Sequence, residues 1–318
     1  MLEKKSISRK TFAILMESPT FVILTVLSIY PFVYTLYYSL TNFYYISKDG
    51  LDFVGLKNYA DLVRNPYFIR AVINTIKFTV ACTLLETVAG VAVAVYVNGL
   101  RHFKKTMRTI LLLPNLLPPV TAALIWKIML SNNYGIINEF LRFMHIPVFN
   151  WFFDTRTAMP VIILIDVWQC MPFVFLLIYA SLQTVPQTLY EAAKIDGAGH
   201  MKIFTSVVLP LGKPILVTMG LFSGLAYWND WTNGLYYLSG NQGQKLFGIQ
   251  NLLNQMITDI QYLASGKVVG NIGAEVAKLP TTSIRMAIAF IAMLPLFIVY
   301  PFLQKYFSEG ITLGAVKG

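Results

Sequence analysis

Apolar residues run along this chain in long blocks, without the alternation of a half-exposed strand or the narrow stripe of a surface helix. A bilayer hydrocarbon core is about 30 Å thick and a helix rises about 1.5 Å per residue, so a crossing needs about 20 mostly apolar residues. Six stretches meet that length: 21–40, 71–97, 110–130, 158–182, 214–238 and 284–307. The pattern predicts an all-α polytopic membrane protein with six transmembrane helices, forming one transmembrane domain over 1–318 with its core at 71–307. Pro31, Pro114, Pro118, Pro119, Pro172 and Pro295 fall inside spans. Each frees a backbone carbonyl that needs another partner, so simple kinks and a water-lined cavity both remain open. The longest loop, 239–282, carries an amphipathic stretch near 249–260 that is expected to cover the mouth of a pathway.

Composition agrees with the pattern. Of 318 residues, 56% are hydrophobic and only 13% charged, about half the charged share of a typical soluble domain. The net charge of +10 raises nucleic acid as a partner, but no basic run is interleaved with aromatics, and cytoplasmic loops of membrane proteins collect Lys and Arg anyway. With six spans both termini share one side. That side receives thirteen cations, including Lys4, Lys5, Arg9 and Lys10 at the start and Arg101, Lys104, Lys105 and Arg108 in one short link; the opposite side receives nine in longer loops. Both termini are therefore expected in the cytoplasm. The basic start followed by a long apolar run reads as a retained first span rather than a cleaved signal. Cys82 and Cys170 sit in apolar stretches as small hydrophobes, not as a disulfide or metal pair.

The segment between the fourth and fifth stretches, 183–213, is polar enough to protrude on the side of the termini. Pro186 opens a helix on which Leu189, Ala192 and Ala193 share a side, and Gly197 and Gly199 break it. A second short helix follows, with Ile203, Phe204 and Val207 as its stripe and Leu209-Pro210 as its end. Two short helices with small residues at their junction make a knob able to pass a push from a cytoplasmic partner into the membrane.

Glu191-Ala192-Ala193, Gly197, Val207 and Leu209-Pro210 stand at the offsets of the EAA loop. The chain thus resembles the binding-protein-dependent ABC importer permeases; Val207 stands where that family usually has Ile. The resemblance implies a coupling helix that docks on a separate ATP-binding subunit, with Glu191 as the acidic contact, Ala192 and Ala193 permitting close approach, Gly197 allowing the turn, and Asp196, Leu209 and Pro210 completing the loop. Tyr30-Pro31-Phe32, Phe53 to Tyr59, Leu112-Leu113-Pro114 and Asp166-Val167-Trp168-Gln169 look like the first-subunit form of the maltose and glycerol-phosphate type of carbohydrate permease. Tyr227 to Trp231, Leu279-Pro280 and the tail from Gln304 to Gly318 look like the second-subunit form used for complex saccharides. A chain of composite origin, joined near the shared loop, and an ordinary member with a divergent end both fit that mixture. The resemblance further implies one permease domain in a bacterial inner membrane, paired with a second permease, two ATPase subunits that bind ATP and Mg, and an extracytoplasmic solute-binding protein. The implied cargo is a carbohydrate, an oligosaccharide by likeness.

Ionisable groups inside spans are costly and point to function. Glu86 and Lys77 in the second span and Asp166 in the fourth qualify. Asp166, Trp168 and Gln169 combine a carboxylate, an aromatic face and an amide, the groups that bind sugar hydroxyls and stack on pyranose rings; a structural bond between helices is the other reading. Tyr227, Trp228, Asn229, Asp230 and Trp231 offer the same chemistry at the outer end of the fifth span, although interface anchoring also explains the tryptophans. The chain has no Gly-x-x-x-x-Gly-Lys-Ser/Thr loop, no His-Glu-x-x-His and no Gly-x-Ser-x-Gly; His102, His145 and His200 are scattered. No catalytic, metal or cofactor site of its own is expected. The competing class is an ion-coupled secondary transporter or channel using Asp166 and Glu86, which would need no cytoplasmic knob; a membrane scaffold is a third.

Overall fold

The computed structural model describes residues 9–43, 51–100, 102–264 and 282–315. Lys4, Lys5, Lys48, Arg101, Lys267, Lys278, Leu279-Pro280 and Lys317 lie outside the described residues. The helices are α1 (Arg9–Ser39), α2 (Lys57–Arg64), α3 (Pro66–Gly99), α4 (Lys104–Leu112), α5 (Pro119–Met129), α6 (Ile136–Phe143), α7 (Thr155–Thr184), α8 (Gln187–Ile195), α9 (His200–Ile203), α10 (Leu209–Trp228), α11 (Thr232–Tyr237), α12 (Gly240–Gln244), α13 (Ile249–Ala264) and α14 (Thr282–Ala315). A 3₁₀ turn, Pro114–Leu116, precedes α5, and a π-turn, Phe204–Val208, joins α9 to α10. Among the described residues, the extended contact is a lone antiparallel bridge between Thr41 and Phe53.

The chain divides into two compact units, Met1–Asn65 with Met256–Leu294 and Pro66–Gln255 with Pro295–Gly318. In the first, the apolar stretch of α1 has no buried residue, as suits a helix facing lipid. The end of α1 is tied down by polar contacts: Asn58 Nδ2 donates to the carbonyls of Ser39 and Thr41 at 2.8 Å each, and the backbone N–H of Ser283 donates to Phe43 O at 3.1 Å.

The second unit is organised around α3 and α7. Ala94 and Val97 of α3 meet Val174, Phe175, Ile178, Tyr179 and Leu182 of α7 and Met219 of α10 in one buried apolar cluster. Small residues permit this approach, as in membrane helix pairs generally. A Cβ on Gly90 would lie 2.7 Å from Val174 Cγ1 and 3.1 Å from the backbone nitrogen of Phe175. Neither a fully buried β-branched side chain nor a backbone can retreat freely. Gly90→Val is therefore expected to force α3 and α7 apart and cost about 1–3 kcal/mol, read as a lower thermal midpoint of the purified protein in detergent; an unchanged midpoint would refute the close approach. A second cluster at the Thr155 end of α7 joins Ala123, Leu130, Ala158, Ile162, Ile165, Tyr237 and Leu238.

Five helices are long and apolar enough to cross a bilayer, and counting one bent pair as a single span makes a sixth. The stretch 110–130 is not one straight helix: Lys104–Leu116 and Pro119–Met129 meet at 93°. Pro118 and Pro119 cannot donate backbone hydrogen bonds, so the ladder fails there. The N–H groups of Thr121 and Ala122 both turn to Pro118 O, and the freed carbonyl of Leu117 accepts from Gln169 Nε2 of α7 at 3.0 Å. The fifth crossing is α10, which ends at Trp228 rather than 238, where Asn229 and Asp230 start a turn into α11. The second loop helix does not end at Leu209-Pro210. It runs through the π-turn into α10, where Pro210 is the second residue. The amphipathic stretch near 249–260 is helical, within α13.

Candidate functional site

At the Thr155 end of α7 a cleft opens in the second unit, lined by Asn74, Thr75 and Phe78 of α3, Tyr227 of α10, Asp230, Asn233 of α11 and Asn251 of α13. Polar side chains at this end are pinned by their neighbours. Asn74 Nδ2 donates to the carbonyls of Lys245 at 2.9 Å and Phe247 at 3.2 Å, and Thr75 Oγ1 accepts from the N–H of Ile249 at 2.9 Å. Asp230 Oδ1 accepts from the N–H and hydroxyl of Thr232, at 3.1 and 2.8 Å, and from the N–H of Asn233 at 3.3 Å. An Asp bonding backbone two and three residues ahead is the local device that starts a helix, here α11.

Behind the cleft wall lies a buried polar chain. Tyr227 donates its hydroxyl proton to Glu86 Oε2 at 2.9 Å, and Asn233 Nδ2 donates to Asp166 Oδ1 at 2.8 Å. Glu86 is 3% and Asp166 8% exposed. Asp166 Oδ2 has no hydrogen-bond partner among the described residues. Four elements, α3, α7, α10 and α11, thus converge through polar groups where apolar packing alone would be cheaper.

The sequence candidates separate on this geometry. Tyr227 and Asp230 line the cleft, and Asp166 reaches it through Asn233. Trp168 and Gln169 engage the bent third crossing instead: Trp168 meets Trp126 edge to face, ring centroids 5.4 Å apart, and Gln169 holds Leu117. Asn229 is exposed, donating to Leu225 O at 2.9 Å and accepting from Gln250 at 3.2 Å; Trp228 is half-buried. Lys77 is exposed. Cys82 and Cys170 are free thiols, and Cys82 packs with Ile163 and Tyr227. Asn74, Thr75, Asn233 and Asn251, which also line the cleft, are not among the sequence candidates, which start from ionisable groups in spans and their near neighbours. Uncharged amides and hydroxyls in an apolar helix carry a weaker form of the same signal.

At the other end of α7, α8 and α9 form the protruding knob. Glu191, Ala192 and Asp196 are exposed, Ala193 is half-buried, and Leu189 and Ile195 present 42% and 86% of their surface. Gly197 has φ +74°, and the N–H of Ala198 reaches back to Ala193 O at 2.9 Å. That pairing across a left-handed residue is the glycine-capped helix ending. Ile203 is buried, and Val208 packs on the α3–α7 cluster, so the knob is rooted at both ends in the bundle. Leu209 and Pro210 are exposed at the start of α10.

A membrane bundle with an exposed two-helix knob at one end and a polar cleft at the other has the parts expected of a transport subunit. Residues 86–313 match the family of binding-protein-dependent transport system inner membrane components, and the chain belongs to that family. It is 36% identical over 165 residues to a trehalose/maltose transport system permease of Thermococcus litoralis, covering 52% of this chain and 56% of the relative. It is 30% identical over 213 residues to an inner membrane ABC transporter permease of Escherichia coli, covering 65% and 72%, and 31% identical over 213 residues to a sulfoquinovosyl glycerol permease of Agrobacterium fabrum, covering 67% and 69%. The match thus spans little more than half the length of the first of these relatives. In fold, the chain is similar to a chain of a bacterial alginate ABC transporter crystallised with its alginate-loaded periplasmic protein, with a TM-score of 0.74 at 18% identity over 94% of both chains.

Proposed function

We propose that this chain is the permease subunit of an ATP-driven importer, forming part of the translocation path for a carbohydrate and containing no ATPase of its own. One observation carries the reading: an exposed helix, α8, with apolar Leu189 and Ile195 beside Glu191 and small Ala192, is held by short links, Val185-Pro186 and Asp196 to Gly199, between segments packed on the membrane bundle. Such a helix suits docking into a groove of a cytoplasmic ATPase. Glu191, Ala192, Ala193, Asp196 and Gly197 form the contact, and Leu209 and Pro210 carry it into α10. Both termini and the loop 183–213 face the cytoplasm of a bacterial inner membrane, and 1–318 acts as one permease domain.

The cleft then faces outward, where Tyr227, Asp230 and Asn233, with Asp166 behind them, supply the aromatic face and hydroxyl-binding groups of a sugar path. Trp228 and Asn229 lie next to these residues in sequence but outside the cleft lining, and Trp168 and Gln169 belong to the bent third crossing. Relatives named for trehalose and maltose or for sulfoquinovosyl glycerol support a saccharide cargo. The complete machine adds a second permease, two ATPase subunits carrying ATP and Mg²⁺, and a solute-binding protein on the outer face.

Reconstitution of the co-purified complex into proteoliposomes tests this. Sugar accumulation is expected to require ATP inside and to survive an uncoupler; accumulation driven by an ion gradient without ATP would overturn it. Asp230→Asn retains the oxygen that starts α11 and removes only charge, so it is expected to reduce uptake severalfold with assembly intact. Unchanged uptake kinetics would remove Asp230 from the path.

A further inference from the structure

The bent third crossing touches α7 at three heights, and its lower arm is tied to the root of the knob. Asn98, the penultimate residue of α3, accepts through Oδ1 from Gln183 Nε2 at 2.7 Å, two residues before the Val185-Pro186 link into α8. The Asn98 carbonyl accepts from Lys104 Nζ of α4 at 2.7 Å, a cation placed where the carbonyl end of a helix favours one. One turn on, the Arg108 guanidinium sits over the ring of Tyr179 on α7, 5.2 Å from its centroid. Above, Gln169 grips the elbow at Leu117 O, and beyond it Trp126 of α5 meets Trp168. The upper arm finishes on α11, where Lys127 Nζ donates to Tyr236 O at 2.9 Å, on the same short helix that places Asn233 in the cleft wall.

We propose that α4–α5 is the transmission lever of this subunit: Asn98, Lys104 and Arg108 clamp its lower arm to the base of the knob, Gln169 holds its fulcrum, and Lys127 delivers the movement to the cleft wall. The inference rests on the coupling role proposed for α8. Its physical basis is that displacement of the end of α7 cannot leave α4 behind without breaking the Arg108–Tyr179 cation–π contact and, with it, one of the two bonds that run in series through Asn98. Asn98 and Arg108 are positioning residues and touch neither cargo nor nucleotide.

The test reads sugar moved per ATP hydrolysed by the reconstituted complex, a ratio that simple loss of folded protein leaves unchanged. Asn98→Ala and Arg108→Gln are expected to lower the ratio about tenfold while hydrolysis continues. Asn98→Asp keeps the acceptor for Gln183 and Arg108→Lys keeps a cation over Tyr179, so both are expected to stay within twofold of the parent. A ratio unchanged in both loss variants, or transport and hydrolysis falling in parallel, overturns the lever. If a loss variant fails to assemble, Asn98→Cys with Gln183→Cys, bridged by a short bis-thiosulfonate, decides: a clamp that moves as one piece keeps its ratio when bridged, and loss of transport on bridging overturns the proposal. Failure of the coupling role itself would be recognised separately, by Glu191 and Gly197 variants that transport normally.

Discussion

Gly197→Val is expected to cut ATP-driven sugar accumulation by about tenfold or more, whereas Gly197→Asn retains most of it. A Cβ at this position meets nothing within 4 Å, so crowding plays no part. The demand is on the backbone: φ is +74°, a region that costs an ordinary L-residue about 1–2 kcal/mol and a β-branched one more, while Asn tolerates it. Valine would release the cap that fixes the end of α8 and let the helix run on past Asp196, moving Glu191 and Ile195 off the docking face. About 1.4 kcal/mol corresponds to a factor of ten in docking. Glu191→Lys, which reverses an exposed charge on the same face, is expected to abolish accumulation without altering the yield of the permease. Uptake and ATPase assays on reconstituted complexes decide both cases. Full-rate accumulation by either Gly197→Val or Glu191→Lys would remove α8 from the mechanism.

The second large effect concerns the buried pair Tyr227–Glu86. Tyr227→Phe deletes the donor and leaves a 3%-exposed carboxyl without its 2.9 Å partner, at a cost of about 1–3 kcal/mol. Glu86→Leu alone removes that acceptor but leaves the hydroxyl Asp166 as a neighbour, so it should cost less. The double variant removes both groups and is expected to be more stable than the sum of the single losses implies. Thermal unfolding of the four proteins in detergent gives the cycle directly. Additivity within about 0.5 kcal/mol would show that the two side chains are not coupled.

How much of this was legible in the sequence depends on which physical quantity each feature rests on. Span positions depend on summed hydropathy, and five of the six stretches matched long helices because a bilayer leaves a chain few alternatives. The third stretch looked equally apolar, yet Pro118-Pro119 broke it; proline marks where a ladder fails but not how far the axis turns, which is settled by packing on α7. The fifth stretch reaches past its helix because Leu235, Tyr236 and Tyr237 are apolar enough to extend it, while the turn at Asp230 that ends it is a local side-chain preference. The knob was visible as spacing, since a glycine-capped helix end is a local choice. Asp230 in the cleft and Asp166 behind its wall stand out by chemistry, and Tyr227 by the family likeness as well. The partnerships of Tyr227 with Glu86 and of Asn233 with Asp166 span 141 and 67 residues, distances at which periodicity carries no information.

A crossing made of two arms at 93° also answers its solvent differently from a straight one. The arms, Lys104–Leu116 and Pro119–Met129, measure roughly 20 and 17 Å at 1.5 Å per residue, so neither alone reaches through a hydrocarbon layer of about 30 Å. A straight helix meets a thicker bilayer by tilting less; for a bent one the expected response is an opening of the hinge, with the load falling on the Leu117 carbonyl that Gln169 holds.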